Sequence, residues 1–178
     1  MDSRSRLATL ITVRVVVGTL LLGWAILIQI SRPGSFPIDP FFFLIAVTYG
    51  LSVLNIATLR LVDRYPWLLD VQLGTDALLV SAFIYVTGGI TSYFSSLYVL
   101  PIIAASTIRF LRGALQVAAL SALLYLATVA AQYVDMPAFL PASWQPGAGV
   151  PLPTLRFAQY TVAINLFGFF AVAFLSGS

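Results

Sequence analysis

Residues Asp70–Pro101 read DVQLGTDALLVSAFIYVTGGITSYFSSLYVLP, and the reading of this stretch decides the fold. An apolar segment carrying two acids is followed by a Gly-Gly break with small polar and aromatic residues, then by a second apolar segment that meets a proline. The pattern is that of a membrane hairpin. Gly88 and Gly89 can take positive φ without a Cβ clash, which permits a tight reversal where the chain leaves the lipid. Asp76 falls near the middle of its segment. A carboxylate there costs roughly 2.5–3.5 kcal/mol on insertion scales, so such residues face the interior of a helix bundle.

Composition supports the same class. The 178 residues are 60% hydrophobic and 8% charged, with a mean hydropathy of +0.99, far from the make-up of a soluble domain. The chain has neither Cys nor His, which excludes disulfides, thiolate chemistry, His-ligated haem and most zinc sites. Every basic residue is Arg and every acid is Asp, so Lys Schiff bases and Glu-dependent catalysis are excluded as well. The net charge of +3 is explained by Arg at helix ends on one side of a bilayer and implies no nucleic-acid partner.

Working outward from the hairpin, hydropathy outlines six spans at about 7–30, 41–59, 67–86, 94–108, 113–134 and 154–175. The expected fold is therefore all-α, a polytopic membrane protein built as a bundle of six transmembrane helices. The first run is too long for the roughly 7–15-residue core of a signal peptide and reads as a retained span. SRPGSFPIDP, Ser31 to Pro40, reads as a loop, as does the Pro- and Gly-rich stretch from Asp135 to Pro153, whose Trp144 suits a membrane surface. Arg4, Arg6, Arg60, Arg64, Arg109 and Arg112 fall on one side, against Arg32 and Arg156 on the other. By the positive-inside rule both termini are expected in the cytoplasm. The last span ends in AVAFLSGS without a charge, so a cytoplasmic portion is expected after residue 178.

The candidate sensing groups within the spans are Arg14, Asn55, Asp70, Asp76 and Asn165. At about 1.5 Å per residue, Arg14 lies roughly 10 Å, Asp70 roughly 5 Å and Asp76 roughly 14 Å from the cytoplasmic boundary. Asp70 and Asp76, six positions apart, are about 240° apart around a helix and do not share a face. On one reading Arg14 neutralises one of the acids, while Asn55 and Asn165 are interhelical hydrogen-bonding groups worth about 0.6–2 kcal/mol each. On the other, Asp76 and its neighbours form a sensing or proton-binding site. Pro101 should kink or hinge the fourth span by freeing the carbonyl of Leu97, although membrane helices also tolerate proline without a functional role. No GxSxG with a His, no HExxH, no P-loop and no acidic cluster for Mg²⁺ occurs, so no catalysis, metal or cofactor is expected of these residues.

Arg14 with the following VVVGTLLLG, and Asp76 shortly before TGGITSYFSSLYVLPII, resemble the six-span amino-terminal membrane domain of bacterial sensor histidine kinases of the type IV pilus (PilS-like) group. The most specific part is Thr87-Gly88-Gly89-x-x-Ser92-x-Phe94-x-x-Leu97-Tyr98, with Tyr93 where related sequences often carry Pro. The resemblance implies a sensory input domain in the bacterial inner membrane. It also implies a homodimer, a cytoplasmic kinase region with a phosphoacceptor His beyond residue 178, and a cognate response regulator. A pilin-like transmembrane helix is an implied signal. From the residues themselves, Gly88, Gly89, Ser92, Phe94 and Pro101 are the candidate turn and hinge, because a Cβ-free turn and a kinked helix resist repacking least. A group of kinases thought to sense quinone has a similar GG-x-x-N-P-F turn, which Ser92 and Tyr93 alter here. Outside the kinases, the length and span count also match the substrate-binding membrane subunit of a vitamin-type transporter.

Overall fold

A computed structural model describes residues 12, 15, 16, 19, 20, 23, 38–62, 65, 67–133 and 152–178. Arg14, most of the first expected span, the loop residues 31–37, the charged turn at Asp63 and Arg64, and residues 134–151 with Trp144 lie outside the described residues.

Long apolar runs in lipid must satisfy their backbone groups internally, and here they do so as helices. α1 spans Ile38–Val62, α2 Trp67–Val86, α3 Val99–Tyr133 and α4 Leu155–Gly177, with short 3-10 helices at Gly89–Thr91 and Tyr93–Tyr98. No strand occurs among the described residues. Four helical stretches among them are long and apolar enough to cross a membrane: Pro40–Thr58, Trp67–Val86, Phe94–Tyr133 and Leu155–Gly177. Ile38, Asp39 and Pro40, expected in a loop, form the first turn of α1. Proline fits there because the amide it lacks would have had no intrahelical partner.

α3 has 35 residues, which would be about 50 Å long if straight, well beyond the ~30 Å hydrocarbon core. It is not straight. Arg109 (φ −122°, ψ 16°) and Phe110 (φ 53°, ψ −150°) leave helical geometry and divide α3 into arms 99–108 and 111–133. A Cβ on Gly113 would stand 3.1 Å from the carbonyl oxygen of Ala105, whereas eight residues of straight helix would separate the two by about 12 Å. The arms therefore fold back on each other. The break is at this elbow and not at Pro101, where a kink was expected. Pro101 lies in the first turn of α3, just after the 3-10 segment, where a missing amide costs no i→i−4 bond.

The chain forms two compact units, Met1–Gln72 and Leu73–Ser178. In the first, α1 buries Phe41, Leu44, Ile45, Thr48, Ser52 and Asn55, one stripe at helical spacing. Its hydroxyls bond back into the helix, Thr48 to the Leu44 carbonyl and Ser52 to the Thr48 carbonyl, both at 2.8 Å. Gln72 on α2 donates to Thr58 Oγ1 at 3.3 Å, and the Thr19 and Tyr49 hydroxyls share a 2.7 Å bond. In the second unit, small residues on the α3 arms, Ala104, Ala105, Ala114, Ala118 and Ala122, are buried, which lets backbones approach closely. α4 is the least buried of the four candidate spans.

Candidate functional site

The second unit places the Thr87–Ser92 reversal at the end of α2 and a layer of aromatic side chains within the bundle. Thr87 ends the helix by bonding twice to the Phe83 carbonyl, through its amide at 3.0 Å and its hydroxyl at 2.6 Å. Its hydroxyl also meets that of Ser92 at 2.6 Å. Ser92 in turn caps the next 3-10 helix by accepting from the Phe94 amide at 3.2 Å. Gly88 (φ 120°) and Gly89 (φ 59°) carry the two positive φ values that the reversal requires.

Gln132, near the end of α3, holds this turn from outside. Its Oε1 accepts the Ile90 amide at 2.9 Å, and a Cβ on Gly89 would fall on its amide group. Glycine at 89 is thus required twice, by backbone angle and by the neighbour. Thr87, Ser92 and Gln132 all bond within or onto the turn.

Tyr98 follows from the capped segment, and both it and Tyr125 are fully buried. They form an edge-to-face trio with Phe169 of α4, with ring centroids 5.1, 6.0 and 6.3 Å apart. Each phenol has a partner. The Tyr98 hydroxyl shares a 2.6 Å bond with Ser81 of α2, and Asn165 Nδ2 donates to the Tyr125 hydroxyl at 3.1 Å and to the Thr161 carbonyl at 3.0 Å. The layer thereby joins α2, the 3-10 segment at Tyr98, α3 and α4 through neutral polar groups, which bury in lipid at less cost than ions. It is suited to fixing helix rotation, and it contains no nucleophile–base pair.

The other expected residues are dispersed. Asn55 is buried on α1 in the first unit, and Asp70 is exposed in the first turn of α2, where its charge suits the positive helix end. Asp76 is half-buried with a shielded Oδ1, and Asn165 is half-buried in the tyrosine layer. Gly88, Gly89, Ser92 and Phe94 come together in the turn, while Arg14 lies outside the described residues. Among the described residues no group of three His, Cys, Asp or Glu could hold a metal. Sequence reasoning missed Ser81, Tyr125, Gln132 and Phe169. A signal existed in Tyr125 and Gln132, a phenol and an amide seven positions apart on one face of an otherwise apolar run.

No curated protein and no solved structure matches the sequence. One family model, the PilS-like transmembrane domain, matches residues 1–178. With its long apolar helices and a Gly-Gly reversal at the end of α2, the chain belongs to the PilS-like transmembrane domain family.

Proposed function

We propose that this chain is the membrane-embedded sensory input domain of a two-component histidine kinase. It detects a signal resident in the bilayer and relays it through α4 to a cytoplasmic kinase region. The observation that carries the reading is the whole-chain match to the PilS-like transmembrane domain, which belongs to sensor histidine kinase systems. The domain has six helices with both termini in the cytoplasm of the inner membrane, and it works as a homodimer. Arg14 pairs with Asp70 or Asp76, because an Arg at that depth must otherwise snorkel or draw water inward.

Recognition occurs on helix faces, since the segments Ser31–Pro40 and Asp135–Pro153 are too short to build a soluble ligand-binding domain. The signal is a pilin-like transmembrane helix. To act, it must bind one helix arrangement more tightly than another, for only differential affinity shifts an equilibrium. Support for α4 as the moving part comes from its low burial, with Phe157, Tyr160, Ile164, Phe167 and Phe174 exposed. The contacts it would have to exchange include the Phe169 ring against Tyr98 and Tyr125 and the Asn165 amide on the Tyr125 hydroxyl.

The test is autophosphorylation of the full-length protein in nanodiscs, with and without a pilin-like helix in the same bilayer. A change of about fivefold or more, equivalent to about 1 kcal/mol of coupling, is expected. An unchanged rate removes the pilin-type signal, and absence of histidine phosphorylation removes the kinase reading altogether.

A further inference from the structure

Two glycines converge on the elbow of α3. From within, Gly113 lies so close that a Cβ there would stand 2.5 Å from the Arg109 Cβ. From α4, a Cβ on Gly177 would stand 2.6 Å from the Leu111 Cα and 2.9 Å from its amide nitrogen. The last turn of α4 therefore meets the elbow backbone to backbone, with no side chain between them to absorb a displacement. Phe110, at the apex, holds a positive φ and is 70% exposed. Its own side-chain packing thus does little to hold it, and the strained angle is set by the chain around it. We infer that the elbow Arg109–Gly113 is the bearing on which the end of α4 sits, so that the relative position of the two α3 arms sets the position of the α4 end. This rests on the sensory reading only for its consequence, that the bearing passes the signal toward the kinase.

Contact geometry dictates the test. Added carbon at Gly177 must retreat from 2.6 Å to the ordinary 3.5–4.0 Å, and the γ-methyls of a valine bring the expected displacement to about 2 Å or more. A Cβ at Gly168 on the same helix meets nothing within 4 Å, which makes Gly168→Val the matched control. Residues 1–178 hold no Cys, so once any Cys beyond residue 178 is replaced, spin labels can be placed uniquely at the exposed positions Leu123 and Ser176 of the full-length protein in nanodiscs. Gly177→Val is expected to shift the Leu123–Ser176 distance by about 2 Å or more, and Gly168→Val to leave it unchanged. Phe110→Gly, which introduces no clash and so guards against misfolding of the valine variant, is expected to broaden the distribution. If Gly177→Val and Phe110→Gly both give the distribution of the control, the bearing is overturned. A shifted distance with altered phosphorylation supports both the bearing and the sensory reading. A shifted distance with unaltered phosphorylation supports the bearing and counts against the sensory reading.

Discussion

Gly89 and Gln132 meet at the reversal: a Cβ on Gly89 would fall on the Gln132 amide, whose Oε1 accepts the Ile90 N–H. An alanine at 89 incurs the left-handed penalty of about 1–2 kcal/mol and displaces the Gln132 amide, which orphans the Ile90 N–H at a further cost of about 1–3 kcal/mol. Gln132→Ala alone incurs only the second cost. The double variant should therefore be less destabilised than the sum of the two, by about the worth of the Gln132 bond, in unfolding from mixed micelles. Strict additivity would show that the clamp contributes nothing. Ser121 makes the opposite case. Its hydroxyl is buried and has no hydrogen-bond partner among the described residues, so Ser121→Ala removes a desolvated group without breaking a bond. The same unfolding measurement should show no loss, and a gain of up to about 1–3 kcal/mol; a clear loss would mean that the hydroxyl is satisfied in the bilayer.

Two residues of α3 that both disfavour regular helix have different consequences because of where they fall. Pro101 is in the first turn, so Pro101→Ala is expected to change stability by less than about 1 kcal/mol, far from the ~3 kcal/mol of an interior proline. Phe110 holds φ 53°, a conformation that costs a bulky residue of order 1–3 kcal/mol and glycine almost nothing. Phe110→Gly should therefore stabilise the domain by roughly 1 kcal/mol after the extra chain entropy of glycine is subtracted. A destabilised Phe110→Gly protein would show that the exposed ring has a role in the bilayer that outweighs the strain.

The arrangement in the membrane can be read out because the chain lacks Cys. In the six-helix topology proposed above, the Gly-Gly reversal and the elbow lie on opposite sides of the bilayer. A cysteine at the exposed Thr91 should react with an impermeant maleimide from outside spheroplasts. One at the exposed Arg112 should react only after lysis. Labelling of both from the same side would refute the topology.

Hydropathy and turn chemistry by themselves determined that this is a helical membrane protein and that α2 ends before Gly88. These properties are written along one dimension, because the bilayer demands a minimum apolar length and glycine alone tolerates the turn. Which polar groups meet was decided by the tertiary structure. Gln132 reaches Ile90 across 42 positions and Asn165 reaches Tyr125 across 40. Such pairs depend on how each helix is rotated, and in a soluble protein an apolar stripe would announce that rotation. Here the lipid-facing side is as apolar as the packed side, with Phe167, Phe174 and Leu123 outward and Phe169, Ala173 and Ala122 inward, so the stripe disappears and packing alone orients the helices. The elbow shows the same division. Arg109 and Arg112 announced a turn, but the angle of that turn and the approach of Gly177 to Leu111 depend on how closely two backbones pack, which no local pattern encodes.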